Sequence, residues 1–197
     1  YTLWLTKKGL VFDRTIKVKA DAENIHSPGS RERDVARMTF PGSNREPGMF
    51  PVDITPHKVN YIKGNNPSTW HTDIPTSKAV LYKNIYENID LKVYGIEKQI
   101  EYDWKVKPGG DPGNICFQYE NVKGTLIDEN GNLIIATRLG ELIHRRPVSY
   151  QLVRGKKIDV TVEFKKMKAN GYGFRVGEYN RTYELIIDPV VLAYSTY

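Results

Sequence analysis

The sequence predicts an all-β protein: an antiparallel, sandwich-like domain with long surface loops and essentially no helix. Three observations predict this. In residues 99–107, Ile100, Tyr102, Trp104 and Val106 alternate with Gln99, Glu101, Asp103, Lys105 and Lys107. Successive strand side chains point to opposite faces, so the run reads as a half-buried strand. Residues 157–166 repeat the pattern, with Ile158, Val160, Val162 and Phe164 on one face and Asp159, Thr161, Glu163 and Lys165 on the other. Finally, nowhere do apolar residues recur at helical spacing over three turns, while Gly, Pro and Asn-Gly punctuate short apolar runs.

Taken in order, residues 1–6 set Leu3 and Leu5 against Thr2 and Trp4, and Lys7-Lys8-Gly9 turns the chain into a second strand over 10–20. Residues 21–34 are polar and carry Ser27-Pro28-Gly29-Ser30. They offer too little apolar area to offset an ordering cost of roughly 1–2 kcal/mol per residue, which predicts a mobile loop or one ordered by a partner. A strand resumes over 35–40. Residues 41–56, with four prolines, read as a surface segment with only short extended pieces.

The stretch 57–107 is the densest part of the chain. Gly64-Asn65-Asn66-Pro67-Ser68 is a cluster of turn formers, followed by Trp70, His71 and Asp73. Ile89, Leu91 and Val93 alternate before Gly95, and with 99–107 they predict a hairpin. Pro108-Gly109-Gly110-Asp111-Pro112-Gly113 is a strong breaker. We read it as a long turn within one domain of residues 1–197, although it is also the natural place for a subdomain break. Asn130-Gly131 predicts a type I′ hairpin turn inside 126–137. Further strands follow at 141–146, 148–154, 157–166, 172–176, 183–187 and 190–194, with turns at Pro147, Arg154-Gly155, Asn170-Gly171 and Asp188-Pro189.

The segments NYIKGNNPSTWHTDIPT, VLYKNIYENIDLKVYG, IEYDWKVKPGGDP and VARMTFPGSN, with the closing LIIDPVVLAYSTY, resemble the amino-terminal domain of bacterial secreted proteins that carry SBBP-type β-propeller repeats. The resemblance covers nearly the whole chain and implies an exported protein, extracellular or in the cell envelope. It implies that residues 190–197 are the junction to a following propeller. It implies no activity, cofactor or catalytic residue. The family's usual segment before the first strand is not present here. On this ground the expected function is a non-catalytic interaction or assembly module, with the propeller, a surface protein or its own copies as partners.

Composition fits a folded protein, with 40% hydrophobic and 26% charged residues. No apolar run approaches the roughly 18 residues of a spanning helix. The net charge of +6 comes from scattered pairs such as Lys7-Lys8 and Arg145-Arg146, without a nucleic-acid recognition signature, so nucleic acid is not an expected partner. Diffuse attraction to an anionic polysaccharide or lipid headgroups is compatible with it.

The candidate residues are few. Trp70, His71 and Asp73 form the candidate ligand contact, as anchors of a loop or as a platform for a sugar in a carbohydrate-binding module. Glu101 and Asp103 share a strand face at a separation that glycoside hydrolysis could use, but two solvated acids look the same in sequence. His26, His57, His71 and His144 show no metal-ligand spacing. The 128–132 stretch resembles a calcium loop, but its glycine is fourth and Glu141 falls too late for the closing ligand. The sole cysteine, Cys116, has no neighbouring base and forms no internal disulfide.

Overall fold

A computed structural model describes residues 1–17, 31–96 and 99–194, with side chains as far as Val191. The strands are β1 (Thr2–Thr6), β2 (Gly9–Lys17), β3 (Arg31–Thr39), β4 (Gly48–Tyr61), β5 (His71–Tyr86) and β6 (Ile89–Ile96). They continue as β7 (Gln99–Val106), β8 (Gln118–Glu120), β9 (Gly124–Ile127), β10 (Leu133–Thr137), β11 (Gly140–His144) and β12 (Val148–Val153). The last are β13 (Lys156–Asp159), β14 (Val162–Lys166), β15 (Tyr172–Val176), β16 (Leu185–Asp188) and β17 (Val190–Tyr194). The only helical pieces among the described residues are single 3₁₀ turns at Pro67–Thr69, Pro112–Asn114 and Lys168–Asn170. The all-β, sandwich-like class read from the sequence is the class found.

Three antiparallel sheets form. A small sheet has the order β1-β2-β3-β8, and β14 and β15 pair separately. The large sheet is centred on β7. One edge of β7 pairs with β6 along its whole length, which leads on to β5 and β4. Its other edge is shared: Trp104–Val106 pair with β16, and Ile100–Glu101 pair with β17. Between β16 and β17 lies Pro189, which has no N–H to offer a ladder. Beyond them β12 pairs with β16 and β11 with β17, and that chain also breaks at a proline, Pro147. The Arg145 N–H bridges the two corners by donating to the Val190 carbonyl at 2.9 Å. Two long neighbouring strands therefore bend at the same level.

One apolar cluster joins the sheets. Leu10, Phe12, Ala36 and Met38 from the small sheet meet Tyr82, Leu91, Tyr102 and Trp104 from the large one. Trp104 is fully buried, with Phe40 edge-on at 5.6 Å and Tyr86 and Tyr102 close by. Tyrosine hydroxyls tie the layers: Tyr82 donates to the Thr6 carbonyl at 3.1 Å and Tyr86 to the Cys116 carbonyl at 2.5 Å. The cluster includes residues on both sides of the 108–113 breaker.

The structure departs from the sequence reading in several places. Residues 41–56 do not wander: Gly48–Tyr61 is a 14-residue strand. Its prolines are tolerated because β4 is an edge strand, paired only to β5, so outward N–H groups are not needed. Likewise β3 begins at Arg31, so 31–34 belong to a strand rather than a loop, and Asp34 is buried. The rest of the expected loop, and 18–20 of the expected second strand, lie outside the described residues. Residues 157–166 are not one strand. Ile158 is exposed in β13, and the chain then leaves for the β14–β15 sheet, where Val162 and Phe164 are buried. A strict alternation was kept across a change of sheet. At Asn130-Gly131 only Gly131 has a positive φ, +79°, and Gly131 N–H donates to the Asp128 carbonyl. This is a type I turn closed by a glycine bulge, not type I′. At the β14–β15 turn the positive φ values fall on Ala169 and Asn170, one residue earlier than Asn170-Gly171.

β17 lies inside the large sheet, between β7 and β11, and Val191 is buried. The closing segment thus folds back into this sheet at least to residue 194. Truncation after Asp188 removes that interior strand and uncovers the edges of both neighbours. The truncated chain should lose its cooperative thermal transition by circular dichroism; an unchanged melting temperature would contradict this placement.

Candidate functional site

Beyond Ala79 the β4–β5 pair leaves the body of the protein. No residue from 48 to 78 is buried. The strands continue as a two-stranded arm, with Val59 opposite Ile74 and Tyr61 opposite His71. From residue 52 to the tip this spans roughly 30 Å at ~3.3 Å per residue. An isolated two-stranded ribbon is at best marginally stable in water, so local devices matter here. The hydroxyls of Thr55 and Thr76 pair at 2.5 Å, and Thr76 also donates to the His57 carbonyl at 2.8 Å. Asp53 and Asp73 adopt positive φ, Asp73 where the register shifts, and Asn60 Oδ1 accepts the Asp73 N–H at 2.9 Å.

The tip is built by the turn formers seen in the sequence. Asn66 caps the 3₁₀ turn by accepting from the Ser68 N–H, and Pro67 opens it. The Trp70 indole N–H donates to the Gly64 carbonyl at 3.1 Å, which staples the loop. Trp70 is therefore a loop anchor whose polar atom is already used, and its ring stays 37% exposed. His71 and Asp73 follow on the same strand and are both exposed; Asp73 lies 3.6 Å from Lys58. All three candidate residues thus sit near the end of one arm. What the sequence reading missed is the arm's apolar load. Ile54, Val59, Tyr61 and Ile62 are each at least half exposed. Pro51, Pro56 and Pro75, interleaved with them, were the available signal that these apolar residues lie outside a core.

A second cluster lies on the outer face of the large sheet. Glu101 and Asp103 face away from the core, and Asp188 joins them from the neighbouring strand. Tyr94 donates to Asp103 at 3.0 Å. Burial pushes the Asp188 carboxyl up to about 6, and the charges of Asp103 and Glu101 add to the effect while Lys157 opposes it. Burial also raises Asp103. These acids occupy adjacent strands of one face, not opposite walls of a cleft, so the arrangement lacks the two-sided geometry of glycoside hydrolysis. Asp188 had been read only as a corner residue. Elsewhere Asp128 accepts from the N–H groups of Asn130 and Asn132 and from the Asn132 side chain, so its oxygens organise the hairpin that resembled a calcium loop. Burial holds the Cys116 thiol above its ordinary range, which favours the protonated form.

His144 is fully buried. Its Nδ1 lies 2.8 Å from the Tyr102 hydroxyl, and its Nε2 meets the Tyr119 hydroxyl. Tyr119 also reaches Met38 Sδ at 3.3 Å, which can only accept. The network then fixes the tautomer: Tyr102 donates to Nδ1, Nε2–H donates to Tyr119, and Tyr119 donates to sulfur. Every ring nitrogen is satisfied with the imidazole neutral, and burial depresses its pKa to about 3.

The fold defines an antiparallel β domain that carries a projecting hairpin arm. The chain belongs to the family described as Domain of unknown function (DUF7948), whose model matches residues 1–190. No curated protein and no solved structure matches it.

His144 and Asp188 act on stability with opposite signs. His144, at about 3 folded and about 6.5 unfolded, favours the native state above pH 6.5, and this contribution is lost as pH falls toward 3. Asp188, at about 6 folded and about 3.9 unfolded, disfavours the native state above pH 6, and that burden is relieved as pH falls to 4. Asp188→Asn should therefore stabilise the protein at pH 7–8, by about 1 kcal/mol after allowance for its partial exposure, with the gain vanishing near pH 4. His144→Gln should be less stable at pH 7 but flatter between pH 6.5 and 3. Urea denaturation across pH checks both, and a gain for Asp188→Asn that persists at pH 4 would refute the assignment.

Proposed function

We propose that this chain is a non-catalytic interaction or assembly module on the outside of a bacterial cell, in a protein where it precedes a β-propeller. The arm is its contacting element. The observation that carries this reading is the arm's composition: a ribbon that contributes no buried residue yet displays Ile54, Val59, Tyr61 and Ile62 to solvent. Exposed apolar surface of this kind is typical of interaction sites. The export setting and the propeller rest on the resemblance of the sequence segments quoted above.

The mode of contact follows from the edges. Pro51 and Pro56 on β4 and Pro75 on β5 interrupt the rows of N–H groups that strand addition would need. A partner protein would accordingly meet the arm through side chains, with Val59, Ile74 and Tyr61 in the contact and Trp70 holding the tip in shape.

The test replaces residues 53–77 by a two-residue turn. The shortened protein should keep the melting temperature of the parent within a few degrees, because no core residue is removed. Fluorescently labelled parent protein should bind cells of the source bacterium or self-associate in light scattering, and the shortened protein should do neither. Equal binding and equal self-association of the two proteins would overturn the proposal.

A further inference from the structure

The small sheet turns a second, quite different face to solvent. Its inner side carries Leu10, Phe12, Ala36 and Met38 into the core. The alternate residues therefore face outward, and register aligns them in rows across the strands. One row is Trp4, Val11, Arg37 and Glu120; the next holds Thr2, Asp13 and Val35; Thr15 and Arg33 follow. Trp4 is 55% exposed, although a large aromatic on a sheet is ordinarily covered. Its indole is not loose. The ring N–H donates to Asp13 Oδ2 at 3.3 Å, and Asp13 is gripped by both arms of the Arg33 guanidinium at 2.9 and 2.6 Å. An exposed aromatic ring is thus held in place by a side-chain ion pair.

Two cavities flank this platform along β3. One, of about 630 Å³, is lined by Gly9 together with Thr6, Thr39, Val11, Arg37 and Glu120. The other, of about 500 Å³, is lined by Arg33, Val35, Asn121, Lys123 and Arg138. Together they follow β3 from Thr39 to Arg33, six residues or roughly 20 Å. The lining is cationic: Lys8, Arg37, Lys123 and Arg138 form no ion pair among the described residues. Asp13 is committed to Arg33. Asp34 points inward and accepts the N–H groups of Arg138 and Leu139 at 2.7 and 3.1 Å, which fixes the Arg138 backbone at the end of the groove. Glu120 is the one remaining acid of the lining.

We infer that this groove binds an acidic polysaccharide, an extended chain of sugar rings bearing carboxylates. The apolar face of a pyranose stacks on the fixed indole of Trp4, whose electron-rich face attracts the ring's C–H groups. Carboxylates along the chain meet the Arg37, Lys123 and Arg138 cations, and arginine is suited to them by its planar fork. Glu120, Thr6 and Thr39 supply partners for hydroxyls. Two hollows spread over roughly 20 Å of β3 fit a polymer rather than a small molecule. Neither Trp70 nor any other residue of the arm takes part.

The experiment is native electrophoresis of the whole chain in gels containing polygalacturonate, with neutral dextran as control, and intrinsic tryptophan fluorescence in parallel. Polygalacturonate should retard the protein and dextran should not. Trp4→Ala should weaken retardation about tenfold, Trp4→Phe should recover most of it, and Arg37→Gln should weaken it and reduce its salt dependence. Thermal melts of each variant confirm folding, and Trp4 is exposed enough for Ala to be tolerated. Lack of retardation, equal retardation by dextran, or undiminished binding by folded Trp4→Ala overturns the inference. The protein shortened in its arm should bind polygalacturonate normally, so failure here and failure of the arm proposal are separable.

Discussion

Every pairing in the large sheet depends on β7 having both edges occupied. Its inner face, Tyr102, Trp104 and Val106, is fully buried. One edge is paired by the preceding strand in sequence, β6, which costs little loop entropy. The other is paired by β16 and β17, whose partner residues lie 79 to 91 positions later. The fold therefore cannot close around Trp104 until the end of the chain arrives. The two proline corners make this possible. They let one returning strand serve β7 in two segments while each segment takes a different outer neighbour.

The sheets are then held by a core that is polar in a few chosen places. Tyrosine hydroxyls reach carbonyls across the layers, and the Tyr102–His144–Tyr119 chain ends on a methionine sulfur. A buried polar group is costly unless it is paired. Here each member has a partner only in this tautomer and this packing, so the network favours one arrangement of the two sheets over slipped alternatives. Asp188 is the opposite case. Its Oδ1 is buried without a hydrogen-bond partner and two other acids lie nearby. It sits at the corner where β16 gives way to β17, a position whose backbone geometry leaves little freedom to move it outward.

Most of the architecture was legible in the residues. The period-two alternation in 99–107 gave the strand, its face and the burial of Trp104. Gly, Pro and Asn located most turns. What could not be read was anything decided by a distant partner. The residues 157–166 alternate without a break, yet the first three belong to one sheet and the last five to another, because the chain crosses between layers without changing its own pattern. Prolines in 41–56 argued against a strand only on the assumption that both edges are paired. The candidate residues fared similarly. Trp70, His71 and Asp73 were placed correctly next to a turn, but nothing local says that the turn lies at the end of an arm. Trp4 was read as one residue of an alternating strand, and the Asp13–Arg33 pair that fixes it is invisible until β1, β2 and β3 are side by side.

The arm has one more consequence. Since residues 53–77 lend no side chain to the core cluster, selection on folding places almost no limit on how long the ribbon is. Two residues can be added to or removed from each strand together, preserving the pleat, and the body of the domain is indifferent. Reach and sequence at the tip are therefore free to change while the scaffold stays fixed. In this architecture the reach of the ribbon and the stability of the fold are written in separate stretches of the chain, and each can change without consulting the other.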